Sequence, residues 1–148
     1  MKRCRWAKHH EIEQKYHDEE WGVPVYDDHK LFEMLTLEGA QAGLSWLTVL
    51  KKRENYVELF SNFDIKVVAN YTESQIDEIL QNPGIVRNKL KINSVVTNAN
   101  CILKIQNEYG SFAKYIWSFV DFKPIQNEFT TQQEAPAETE LSKQMSKD

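Results

Sequence analysis

A chain of 148 residues favours a single domain, and at that length folding can bury roughly 70% of the surface the unfolded chain exposes. Its 41% hydrophobic and 27% charged residues exclude a disordered or fibrous protein, no apolar run nears the ~18 residues of a membrane helix, and the basic start Lys2-Arg3-Cys4-Arg5-Trp6 lacks the apolar stretch of a signal peptide. A net charge of −4 argues against a uniformly basic nucleic-acid binder, and Cys4 and Cys101, far apart, exclude a disulfide framework and fit a reducing cytoplasm.

Helical spacing dominates, with five glycines and four prolines as punctuation. A short first helix is predicted over residues 10–19, stopping before Trp21-Gly22-Val23-Pro24. The next runs from Lys30 to Ala42, where Leu31, Met34, Leu35 and Ala42 share one side of the helical wheel. Gly43 can supply the left-handed residue that ends it, and Ser45 can cap a helix carrying Trp46, Val49, Leu50, Val57 and Phe60. These two helices form an αα-hairpin whose corner is little more than Gly43-Leu44.

Asp64 opens a short segment through Ala69, and Thr72-Glu73-Ser74-Gln75 has the spacing of a capping box for a helix through Leu80. Gln81-Asn82-Pro83-Gly84 is a turn signal. A long helix follows, striped by Ile92, Val95, Val96, Ala99, Ile102 and Leu103. Tyr109-Gly110-Ser111 resets the chain before a helix over 112–120. No stretch alternates long enough to demand a strand, and there is no internal repeat. The expected fold class is all-α, a compact multi-helix domain over residues 1–124. Residues 125–140, rich in Gln, Thr, Glu and Ala, read as a flexible linker or loop, and 141–148 as the start of a C-terminal helix in an incomplete domain.

Four features could carry chemistry. Glu38 falls on the wheel among Leu31, Met34 and Ala42; a carboxylate there is paired, protonated or functional, unless it sits at the edge of the stripe and reaches solvent. Trp6, Tyr16, Trp21 and Trp46 can stack on a nucleobase or simply fill a core. Cys4 and His17 are zinc-ligand types, but two ligands do not close a site, and a buried thiol beside a surface imidazole explains them equally. Leu80 to Ile85, followed by Arg87, can aim backbone N–H groups at a phosphate or be an ordinary interhelical turn.

Charge is unevenly spread. Residues 126–148 carry Glu128, Glu134, Glu138, Glu140 and Asp148 against Lys143 and Lys147, a net of −3, which leaves −1 for residues 1–125. Between Glu78 and Glu108 there is no acid, while Arg87, Lys89, Lys91 and Lys104 contribute +4. That local stripe suits phosphate binding, and equally a solvated helix face.

These residues together resemble the bacterial DNA-3-methyladenine glycosylase I family of the helix-hairpin-helix glycosylase superfamily. The resemblance rests on Arg3-Cys4 with Trp6, Tyr16-His17-Asp18, Glu20-Trp21-Gly22-Val23-Pro24 and Lys30-Leu31-Phe32-Glu33-Met34. It continues through Leu37-Glu38-Gly39, Gln41-Ala42-Gly43-Leu44-Ser45-Trp46, the run from Thr48 to Tyr56, Gly84-Ile85 with Arg87, and Trp117-Ser118-Phe119-Val120, and it resumes at Leu141-Ser142-Lys143.

The resemblance implies an all-helical fold with a helix-hairpin-helix motif, and a repair enzyme that flips 3-methyladenine out of alkylated double-stranded DNA and releases it hydrolytically. It implies Glu38 as the catalytic carboxylate, and Tyr16, Trp46, Trp6 and Trp21 as the base pocket. Gly43 and Leu44 fit the wedge at the corner, and Gly84, Ile85, Arg87 and Lys89 the DNA-binding hairpin. The family's structural zinc has four ligands, of which Cys4 and His17 match the N-terminal pair; the chain ends at Asp148, before the region of the others, so this chain is expected to hold zinc weakly. Members often carry an aromatic residue where Glu13 stands here. A cytoplasmic monomer with no membrane partner is expected. Methylation at N3 makes adenine a cationic leaving group, so one carboxylate in an aromatic pocket suffices where glycosidases ordinarily need two. Two rivals come from other classes: a non-catalytic helix-hairpin-helix DNA-binding module, and a small zinc-binding interaction domain.

Overall fold

The computed structural model describes residues 2–148, and among them there is no strand. Side chains that accept a hydrogen bond from the unpaired N–H groups of a helix start stand at nearly every boundary. After a single 3-10 turn at Arg5–Ala7 comes α1 (Glu11–Glu19). Asp27 caps α2 (Asp28–Ala40), and Ser45 caps α3 (Trp46–Leu59), accepting from Thr48 N at 3.2 Å. Asp64 opens α4 (Ile65–Ala69). The capping box before α5 (Glu73–Leu80) forms in full: Thr72 N donates to Gln75 Oε1 at 2.7 Å and Gln75 N to Thr72 Oγ1 at 3.2 Å. Asn88, Ser111 and Thr139 cap α6 (Lys89–Tyr109), α7 (Phe112–Ser118) and α8 (Glu140–Lys147). Each such cap is worth about 1 kcal/mol.

The core gathers around α6, whose buried face carries Ile92, Val95, Ala99 and Ile102, as its spacing predicts. Against it pack Phe32 and Leu37 of α2, Val49 and Tyr56 of α3, Val68 of α4 and Ile76 of α5. Phe60, Phe63 and Tyr71 stack beside them, and the Tyr71 hydroxyl donates to Leu59 O at 2.9 Å. Between α3 and α4 the residues Ser61, Asn62 and Phe63 all have φ between 53° and 57°, which costs about 1–2 kcal/mol per residue. Burial of Phe60 before them and of Phe63 itself offsets that strain. No helix among the described residues is long and apolar enough to cross a membrane.

The wheel reading of α2 is corrected. The helix begins at Asp28, and its buried residues are Phe32, Thr36, Leu37 and Ala40, nearly opposite the side carrying Leu31, Met34, Leu35 and Ala42. Leu35 and Ala42 are exposed, while Leu31 and Met34 line an open apolar groove with Val23, Ile116 and Trp117. The core side mixes Phe32 and Leu37 with the small Thr36 and Ala40, so its hydrophobic weight on the wheel is lower than that of the Leu31, Met34 and Leu35 side.

Asp28 ties α2 to two other helices. Its carboxylate accepts from Phe112 N at 3.0 Å and Ala113 N at 2.8 Å, the first N–H groups of α7, and from Gln106 Nε2 of α6 at 2.8 Å. Burial pushes this acid upward, but these donors outweigh it and hold it below the usual carboxylate range.

Candidate active site

Three short segments bring the aromatic residues together. Trp6 lies in the first 3-10 turn, Tyr16 and His17 on α1, and Trp46 is the first residue of α3. Tyr16 packs on Trp46 at 5.2 Å between ring centroids and on Trp6 at 6.2 Å. Trp21, half exposed, meets Trp6 edge-on at 5.7 Å and stacks on His17 at 5.3 Å. The indole N–H of Trp46 is buried and has no acceptor among the described residues.

Glu38 stands on the last turn of α2, beside this cluster. It is not sealed among Leu31, Met34 and Ala42, because its face of α2 is open to solvent. Its carboxyl makes no hydrogen bond and no ion pair among the described residues, and partial desolvation raises its pKa above the usual carboxylate range. The Tyr16 phenol is pushed up first by burial and then by the Glu38 and Glu20 carboxylates, which places Glu38 within electrostatic reach of Tyr16. One unpaired carboxylate beside a wall of rings suits a flat cation, which the rings stack on and the carboxylate neutralises.

Beneath this wall lies an ionic knot that sequence reasoning missed. Arg53 of α3 holds Glu20 with a pair of bonds at 2.7 and 2.8 Å, and its Nε donates to Glu33 of α2 at 2.7 Å. Lys30 joins at 2.8 Å from Glu20. The Arg53 contact holds Glu20 at a pKa of about 2. These residues are scattered through the sequence, and only their place inside family-like motifs hinted at a role.

At the metal-ligand candidates, Cys4 N donates to His17 Nε2 at 3.3 Å, and the His17 Nδ1 lies 3.0 Å from Asp18, itself held by Arg3 at 2.7 Å. Asp18 therefore orients the imidazole so that Nε2 carries the lone pair, the arrangement that supports a metal-bound histidine. Among the described residues no group of three or more His, Cys, Asp or Glu side chains could hold a metal. Cys4 and His17 alone do not fit a four-coordinate zinc.

The corner turns through a left-handed glycine, as its sequence predicts. Gly43 takes φ +79°, Leu44 is 38% exposed at the tip, and Leu44 N donates to Gln41 O at 2.6 Å. In the hairpin between α5 and α6, Gly84 N is already bound to Asn82 Oδ1 at 2.7 Å, and Ile85 has its side chain in the core. The Arg87 N–H has no partner among the described residues and Arg87 is exposed, so it, rather than Gly84 N, is open to an anion, whereas Ile85 is only 2% exposed. Gly84 is needed for closeness: a Cβ there would lie 2.7 Å from Asn55 Nδ2. Asn55 donates to Gly84 O at 3.0 Å, Lys52 to Pro83 O at 3.4 Å, and Val86 N to the Tyr56 hydroxyl at 3.3 Å, so one face of α3 holds the hairpin.

The basic stripe is narrower than its residue count. Lys91 turns inward to backbone carbonyls, and Lys89, although exposed, lies 3.9–4.0 Å from Glu73 and Asp77.

An all-helical body in which one helix, α3, carries both the hairpin and a wall of the aromatic cluster, with one unpaired carboxylate nearby, has the makings of a base-excising DNA glycosylase. The methyladenine glycosylase family model matches residues 6–148, and the chain belongs to that family. It is 47% identical to a DNA-3-methyladenine glycosylase of Haemophilus influenzae over 98% of this chain and 78% of the relative. It is 44% identical to DNA-3-methyladenine glycosylase 1 of Escherichia coli over 99% of this chain and 79% of the relative. A solved Y16F form of 3-methyladenine DNA glycosylase I, in complex with 3-methyladenine, superposes with a TM-score of 0.95 at 38% identity, covering 99% of this chain and 79% of that one. The activity is that of a 3-methyladenine DNA glycosylase in base excision repair, which sets aside the non-catalytic module and the zinc-binding interaction domain.

Proposed function

We propose that Trp6, Tyr16, Trp21 and Trp46 receive 3-methyladenine flipped from alkylated double-stranded DNA, and that Glu38 faces its positive charge. The observation that carries this reading is the Glu38 carboxyl, unpaired and raised in pKa beside Tyr16. A carboxylate there binds the base while it carries the charge, and its negative potential favours the passage of that charge to the sugar as the C1′–N9 bond lengthens. The bonding electrons pass to the base, water adds to C1′ of the oxocarbenium-like sugar, and the water's proton is lost to solvent. Leu44, carried on Gly43, fills the gap left in the stack. Gly84 shapes the hairpin and Ile85 anchors it in the core, the Arg87 N–H holds a phosphate, and the Arg87 and Lys89 side chains add charge.

Zinc is not required by any step. Cys4 and His17 would supply two of its ligands, and completion would need donors beyond those the described residues bring together. We assign residues 1–124 to the helical glycosylase body and the segment from 125 to the Thr139 cap to a linker; the helix expected over 141–148 is α8 (Glu140–Lys147). A monomer in a reducing cytoplasm suits the free Cys4 and Cys101.

Incubating the chain with methylated duplex DNA and chromatographing the supernatant should show free 3-methyladenine. In parallel, Trp46→Ala should lose about 1–3 kcal/mol of affinity for the free base while duplex binding stays nearly intact. Equal weakening for damaged and undamaged duplex would make Trp46 a structural residue only. Removing the Arg87 side chain in Arg87→Gln should weaken binding to all sequences and reduce the slope of log K against log salt by about 0.9. An unaltered slope would move the phosphate-binding face elsewhere.

A further inference from the structure

The corner at Gly43-Leu44 is poorly packed for an element that must push into a duplex. Ala42, Gly43, Leu44 and Ser45 are all exposed, and nothing lies within 4 Å of where a Gly43 Cβ would stand. Its local bonds are the Leu44 N to Gln41 O contact and the Ser45 cap. Only one side chain from elsewhere among the described residues makes a hydrogen bond to it. Lys91, in the first turn of α6, donates from Nζ to Ala42 O at 2.6 Å and to Ala40 O at 3.0 Å.

Those carbonyls close the C-terminus of α2, where unpaired oxygens and the negative end of the helix dipole favour a cation. The backbone of Lys91 is fixed to the end of the hairpin, since its N–H donates at 3.1 Å to the carboxamide of Asn88, the α6 cap next to Arg87. Lys91 therefore joins two elements that the reaction needs in register, the loop that grips a phosphate and the corner that enters the stack. An ammonium bound to two carbonyls has little freedom to act as a phosphate ligand, whatever its place in the basic stripe.

We propose that Lys91 is a positioning residue: it sets the Gly43-Leu44 corner against the hairpin, so that phosphate grip and base extraction act as one movement. This rests on the reading of Leu44 as the wedge. Lys91→Met keeps most of the stem and removes the donors. Because small misplacement near a reacting group can cost up to 10²-fold, single-turnover release of 3-methyladenine from duplex DNA should fall by about 10-fold or more. Release from single-stranded alkylated DNA, which needs no wedge, should fall by about 2-fold or less. The salt slope of duplex binding should stay unchanged, since no phosphate contact is lost. In a Leu44→Ala background, Lys91→Met should add little further loss.

A salt slope reduced by about 0.9 would make Lys91 a phosphate ligand and overturn the proposal. Equal losses on single and double strands would make it a residue of general stability, which also overturns it, as does unaltered release from duplex. If Leu44→Ala alone leaves duplex release unchanged, the wedge reading itself fails, which is a distinct outcome. Should Lys91→Met not fold, Lys91→Arg keeps donors but spreads them over a wider planar group that cannot hold both carbonyls as the compact ammonium does, so the corner is displaced. That variant should retain the salt slope and lose more activity on duplex than on single strands, and a proportionate loss on both would overturn the assignment.

Discussion

Replacing Glu38 by glutamine lowers the release of 3-methyladenine by about 10-fold or more, the loss expected when charge stabilisation of a cationic group is removed. Glutamine keeps the size and shape of the side chain, and Glu38 has no hydrogen bond or ion pair to lose among the described residues, so the fold should be little affected. Affinity for the free, neutral-to-cationic methylated base should weaken as well. The pH profile gives an independent reading. Desolvation raises the Glu38 pKa, so the carboxylate is discharged at a higher pH than an ordinary glutamate. Excision by the unaltered chain should then decline as pH falls through that raised value, and Glu38→Gln should lack that acid limb. A glutamine variant with unaltered rate, base affinity and pH profile would return Glu38 to the surface as a structural acid.

Arg53→Met should be the most destabilising of the substitutions considered. The guanidinium joins Glu20 and Glu33, and its side chain is 19% exposed, so its removal leaves two partly buried carboxylates sharing Lys30. Breaking such a cluster from one side costs about 3 kcal/mol, or roughly 10 °C in Tm for a chain of this size. Replacing Glu20 and Glu33 by glutamine in the same variant should recover much of the loss, because the penalty lies in the uncompensated charges. The acid dependence follows from Glu20. Its folded pKa of about 2 lies below the unfolded value, so its stabilisation is complete above about pH 5 and is lost as pH falls toward 2. The Tm gap between the unaltered chain and Arg53→Met should therefore be full at pH 7 and narrower at pH 3, where part of the Glu20 contribution is gone. A Tm difference at pH 7 of under about 2 °C would show that the knot is too hydrated to matter.

The two expectations differ in how far they could be seen in advance. Glu38 is singled out by sequence, although for a partly mistaken reason: the wheel seats it in an apolar stripe, while the structure leaves that side of α2 open. The family-like run from Leu37 to Trp46 identified the residue, and the surrounding fold supplied its lack of a partner. Arg53 lies within a quoted motif, yet nothing in its spacing shows that it reaches Glu20, 33 residues earlier in the chain. Lys91 reads as one more charge in a basic stripe until its ammonium is found on the carbonyls of Ala40 and Ala42.

Sequence by itself determined the helices and most of their ends. Ser45, the Thr72–Gln75 box and the left-handed glycines at 43 and 110 act within a turn of their own positions, so the chain needs no distant partner to specify them. It also determined the family, because long contiguous motifs survive without any knowledge of packing. Tertiary structure alone decided which face of α2 is buried, that Gly84 must be small because Asn55 approaches it, and that three nonadjacent segments share the aromatic wall. It alone took Lys91 out of the phosphate-binding stripe. Capping and helix periodicity depend on neighbours three and four residues away, whereas buried faces, ion partners and pocket walls depend on which helices meet, and that is set by the packing of the whole core.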